Sequence, residues 1–184
     1  MPATVELDET NGVRVRTHAV TNLNVGNVDA PNIVVSPRTA LRPKKDGTAA
    51  AYVKYQQLHF TDIPAGVKIK NIKVWLATPE TRAYETLVAN LNVSQDTYDT
   101  QKVLDGAAPV PSDARLVTGS ALPSSQPALP NLGIGGSLIG ELTADSLVPY
   151  TDFFVWQVQL TGNAPTGKLL QRQFMFSWEE ELTP

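Results

Sequence analysis

The chain has 184 residues, 42% of them hydrophobic and 18% charged, and its 15 Lys and Arg against 18 Asp and Glu leave a formal net charge of -3. That length suits one ordinary domain, 1–184, and the charge excludes a strongly basic nucleic-acid binder, which needs surplus cations to displace phosphate counterions. With 0 Cys and 2 His, a disulfide framework, a thiol nucleophile, a cysteine zinc site, an iron–sulfur cluster and a three-histidine metal site within one chain are all ruled out.

The first residues, Met1 to Glu6, lack a cationic region followed by an apolar run, so no signal peptide is read there. No stretch approaches the roughly 18 consecutive apolar residues of a membrane-spanning helix, and the expectation is a soluble protein. Between Gly12 and Val20 the residues alternate, Val13, Val15 and Thr17 on one face and Arg14, Arg16 and His18 on the other, which predicts a half-buried strand. Ile33 to Val35 is a short strand candidate. Residues 37–47 then carry Pro37, Pro43 and Asp46-Gly47, which prevent a continuous helix or central strand and predict an exposed loop. Its four cations, Arg38, Arg42, Lys44 and Lys45, make it the most positive local segment and a candidate contact for a partner with an acidic surface.

A stronger β pattern starts at Ala49, where Tyr52, Lys54, Gln56 and Leu58 alternate with Val53, Tyr55, Gln57 and His59 before a turn at Pro64-Ala65-Gly66. Along Val67 to Leu76, Val67 and Ile69 share one parity while Ile72, Val74 and Leu76 share the other. A β-bulge near Lys70-Asn71 is the simplest way to restore all five to one face, because one extra residue reverses the alternation; a change of sheet is the other reading of such a break. The stretch Arg82 to Val93 fits either a helix, through Tyr84, Leu87, Val88 and Leu91, or a strand, through Leu87, Ala89, Leu91 and Val93. Threonine and the β-branched valines favour the strand.

Asp96, Asp99, Asp105 and Asp113 offer oxygen ligands for Ca²⁺, but their spacing lacks the pattern of an EF-hand, and turns and solvated aspartates explain them equally. Asn92-Val93-Ser94 matches a glycosylation acceptor without a secretion signal to support it. From 107 to 140 the chain becomes rich in Pro, Ser, Ala and Gly, with a brief strand candidate at Arg115 to Val117. So long an irregular stretch is either mobile or fixed by packing on a neighbour, and Leu122, Leu129 and Leu132 make it a candidate interchain contact. Gly133-Ile134-Gly135-Gly136 fails the dinucleotide fingerprint in its spacing and suits a tight turn or bulge. Near the C-terminus, Phe154, Trp156, Val158 and Leu160 align on one strand and Phe174, Phe176 and Trp178 on a second, which reads as a hairpin with a shared core. Glu179 to Glu181 follow, able to hydrate the terminus or to meet the cationic loop of another subunit.

Seven to nine strand candidates with little helix predict an all-β, two-layer antiparallel β-sandwich, immunoglobulin-like or jelly-roll, with long irregular loops. Its sheet edges must be shielded or paired. Gly-x-Ser-x-Gly and His-Glu-x-x-His are absent, so no catalytic, metal or cofactor residues are assigned. The expected role is that of a noncatalytic structural or assembly protein contacting itself or another assembly subunit, with a viral or phage particle as the favoured setting by architectural analogy. Two alternatives stand beside it. A carbohydrate-binding module would stack sugars on Trp156 and Trp178, and a hydrolase would need a pocket joining His18 or His59 to a nucleophile or carboxylate.

Overall fold

The computed structural model describes residues 1–11, 15–26, 28–36, 40–42, 47–77, 82–93, 119–162, 164–165, 167 and 169–183. Within them the chain is all-β, with eight strands: β1 (Thr4–Asn11), β2 (Val15–Thr17), β3 (Thr48–Ala50), β4 (Lys54–Asp62), β5 (Val67–Leu76), β6 (Glu85–Val93), β7 (Phe153–Thr161) and β8 (Phe174–Leu182). Two sheets form a sandwich-like arrangement. The larger runs β2-β1-β4-β7, with β3 and β6 also paired to β7, and the smaller is the antiparallel pair β5-β8. Because Trp156 is opposite both Lys54 and Ala89, β4 and β6 occupy opposite edges of β7, and β3 continues along the β4 edge through Ala50↔Gln159. Among the described residues no helix is long and apolar enough to cross a membrane.

The two sheets face each other across a core that includes Leu58, Phe60, Ile69, Val74, Phe154 and Trp156. Aromatic rings interlock at its centre: Phe174 lies 5.1 Å from Phe154 and 4.9 Å from Trp156, centroid to centroid, and Trp178 meets Phe60 edge-on at 5.4 Å. The last two long strands therefore share a core, but they do not form the predicted hairpin. β7 pairs with β3, β4 and β6, whereas β8 pairs with β5 in the opposite sheet. Alternation identifies the buried faces of both strands, and it carries no information about which strand each one hydrogen-bonds.

Elsewhere the pattern and the backbone agree. The register of β5 against β8 shifts between Lys70 and Lys73, where Asn71 adopts a positive φ of 56°, and Val67, Ile69, Ile72, Val74 and Leu76 are all buried. Asn tolerates the left-handed region better than most residues. A second shift, between Asn90 and Val93, has Asn92 at φ 61°, and β6 is a strand throughout. Ile33 is buried outside any strand.

Residues 119–140, the described part of the irregular stretch, and the run that follows to 150 are held by the chain's own backbone. Ile69 and Leu142 exchange hydrogen bonds of 2.8 and 3.0 Å, the Leu76 N–H donates to Pro123 O, and the N–H groups of Asn131 and Leu132 donate to Ile72 O. The Asn131 side chain completes the edge, accepting from Val74 N–H at 2.8 Å and donating to Val74 O at 2.9 Å. On the other sheet, Ser120 and Ala89 bond reciprocally, and a Cβ on Gly119 would lie 2.5 Å from Ala89 O, so the approach requires glycine. Gly135 and Gly136 both have positive φ between the bonded pair Ile134 and Ser137, as a type I′ turn demands.

A buried polar network sits beside this core. Lys54 Nζ donates to Glu9 Oε1 at 2.7 Å and to Ala30 O at 2.8 Å, Gln56 Nε2 donates to Glu9 Oε2 at 3.0 Å, and Trp156 Nε1 donates to Gln56 Oε1 at 2.9 Å. Gln56, Gln57 and Gln157 are buried, and Gln157 Nε2 donates to Ala51 O. Removing Glu9 leaves a buried ammonium without its counter-charge, so Glu9→Ala is expected to cost about 3–5 kcal/mol. Urea denaturation checks this, and combining Glu9→Ala with Lys54→Met should lose much less than the sum of the two single changes.

Candidate functional site

β1 is a strand the sequence reading passed over, and it supplies half of the most chemically loaded cluster among the described residues. In its pairing with β4, Val5 opposes Phe60 and Leu7 opposes Leu58, which directs those four side chains into the core. Alternation then places Glu6, opposite His59, and Asp8, opposite Gln57, on the other face of the sheet. Beyond β2 the chain reverses at Ala19, a non-glycine residue at φ 50°, and Val20 N–H bonds to Leu7 O at 2.8 Å. This brings His18 back over β1.

One potential ligand atom from each of Glu6, Asp8, His18 and His59 lies within 4.8 Å of the other three. His18 Nδ1 is 2.7 Å from Asp8 Oδ2 and 3.6 Å from Glu6 Oε1, while His59 Nδ1 is 3.0 Å from Glu6 Oε1 and 3.4 Å from Asp8 Oδ2. The side chain of Asp8 is 1% exposed and that of His18 is 55% exposed, so the cluster has a buried floor and an open side. Ala19 N–H donates to the second Asp8 oxygen, Oδ1, at 3.3 Å. Tyr150 stacks on His59 at 4.3 Å and 20°, the Arg16 guanidinium lies 4.0 Å over the Tyr150 ring, and Arg16 Nη2 donates to Gln57 Oε1 at 2.9 Å. Tyr150 is held in place by its neighbours, since Pro149 O accepts from Phe60 N–H and Thr151 N–H donates to Leu58 O.

The sequence reading named each histidine as one that a hydrolase would join to a nucleophile or carboxylate, and did not pair the two. The structure joins each of them to two carboxylates that it did not single out, and the legible signal was the short alternation Val5-Glu6-Leu7-Asp8. None of the four lines the shallow surface depression formed by Lys70 and residues 179–182.

The other predicted site residues are dispersed. Arg38, Lys44 and Lys45 lie outside the described residues, as do Asp96, Asp99, Asp105, Asp113 and the strand candidate at 115–117. Arg42 is exposed. Leu129 is exposed, but Leu122 and Leu132 are buried in the chain's own core, which corrects their reading as interchain contacts: the apolar positions of this segment fill the sandwich. Trp156 is 3% exposed, with its indole N–H bonded to Gln56, and Trp178 is partly buried. Burial of Trp156 removes one of the two rings that the stacking platform would need. The terminal glutamates find partners within the chain. Glu179 accepts from Asn71 Nδ2 at 2.7 Å, Glu180 accepts from Ala3 N–H at 3.0 Å, and Glu181 pairs with Lys70. The hydrogen bond from Lys70 holds the Glu181 carboxyl below its ordinary range, and the same contact raises the Lys70 ammonium. No family model, curated protein or solved structure matches the chain.

Asp8 is buried and bonds to His18 Nδ1 and Ala19 N–H, both on the turn after β2, whereas His18 is half in solvent. Asp8→Ala is therefore expected to destabilise the protein by about 1–3 kcal/mol, since it removes the hydrogen bonds through which a buried carboxylate ties the turn after β2 to β1. His18→Ala should cost less than about 1 kcal/mol, as exposed pairs do. Chemical denaturation of both variants tests the contrast.

Proposed function

We propose that this protein is a noncatalytic assembly module that associates with further copies of itself, with a viral or phage particle as the setting favoured by architectural analogy. The observation that carries this reading is a set of large exposed apolar side chains on a secured connection. Ile139 is 84% and Leu147 99% exposed, and Leu138 and Val148 beside them are also exposed. They belong to the segment that bonds to β5 through Leu142 and to β4 through Pro149. Single exposed apolar residues are ordinary, but four large ones on a held connection have the character of a contact surface. Ordering entropy is largely paid in the fold, so such a surface docks with little further loss.

The segment's leucines divide the labour. Leu122 and Leu132 anchor it inward, which leaves Leu138, Ile139, Leu147 and Val148 as the partner-facing set. Light scattering across a concentration series checks the reading on the intact chain. A discrete oligomer is expected, and a variant carrying Ile139→Asp and Leu147→Asp should be monomeric with its β circular dichroism retained. A wild-type chain that stays monomeric at every concentration would overturn self-association.

A further inference from the structure

We propose that Glu6, Asp8, His18 and His59 form a binding site for one divalent transition metal ion of the zinc class. Two imidazole nitrogens and two carboxylate oxygens are a donor set that suits Zn²⁺, whereas Ca²⁺ and Mg²⁺ take oxygen ligands. Ligand atoms about 2.0–2.1 Å from a tetrahedral zinc are separated from one another by about 3.3–3.4 Å. The four histidine-to-carboxylate separations, 2.7, 3.0, 3.4 and 3.6 Å, bracket that edge length. All four atoms converge within 4.8 Å, so small side-chain rotations suffice to close the shell.

Charge and support point the same way. Two carboxylates bring a charge of -2 to one spot, and Asp8 is buried there; a single divalent ion cancels it. Asp8 turns Oδ2 toward both rings, while its other oxygen accepts from Ala19 N–H, which is the kind of outer hydrogen bond that orients a ligating carboxylate. Tyr150 stacked on His59 limits rotation of that ring. The exposed side of His18 provides an entry path. Bound there, the ion would tie β1 and β4 to the turn after β2. This inference is independent of the self-association proposed above.

Calorimetric titration of the full, chelator-treated chain with ZnCl2 tests it, alongside Co²⁺ titration followed by visible absorption. Saturable binding of one Zn²⁺ per chain is expected, with Co²⁺ giving the intense bands of tetrahedral coordination, and Zn²⁺ raising the Tm. His18→Ala, at an exposed position that the fold can spare, should weaken Zn²⁺ binding by at least about 10-fold. Glu6→Gln should do the same with its circular dichroism unchanged. Absence of saturable binding, or affinity unaltered in both variants, would overturn the site.

Discussion

A β-strand with one face packed in a sandwich must still satisfy the N–H and C=O groups on both of its edges. In the small sheet β5 has β8 on one side alone, and its other edge is completed by non-strand chain. Pro123, Asn131 and Leu142 meet that edge in turn, with the Asn131 carboxamide standing in for a peptide group at Val74. Much of the molecule follows from this arrangement. The leucines of the same segment enter the core between the sheets, and their burial supplies the hydrophobic stabilisation that an irregular connection otherwise lacks.

The constraint also reaches the His–carboxylate cluster. The segment that borders β5 returns along β4, where Pro149 and Thr151 bond to the backbone at Phe60 and Leu58. Tyr150 is thereby set against His59, and Arg16 closes over the far face of its ring. Asp152, at the end of the same run, accepts from Gly136 N–H through both oxygens at 3.0 Å. One stretch of chain thus seals an edge, fills the core, presents exposed apolar side chains and fixes a wall of the cluster. The polar groups buried around Glu9 and Lys54 place a further demand on the larger sheet, since each must keep its partner in the interior.

Periodicity made the sandwich class legible, and at β5 it even located the bulge, because one extra residue is the simplest geometric remedy for the reversal from Ile69 to Ile72. Its silence on pairing explains the misread β7–β8 hairpin: Phe154 and Phe174 were correctly directed to one core, yet they face each other from opposite layers. β1 escaped notice because Asp8, Glu9, Thr10 and Asn11 are buried polar residues, and hydrophobic alternation is blind to burial achieved through hydrogen bonds and ion pairs. The same blindness covers Gln56 and Gln157, polar residues that are buried inside. The candidate site was hidden by distance in sequence. His18 and His59 are 41 positions apart, and their convergence depends on β1 pairing with both β2 and β4.

Amide hydrogen exchange is the most direct measurement of whether the irregular segment is an integral edge of the small sheet. The Leu132 and Leu142 amides, which donate to Ile72 and Ile69, should be protected to the same degree as the amides of β5 and β8. Exchange of Leu132 and Leu142 at the rate of an unstructured peptide, with β5 and β8 still protected, would contradict the account.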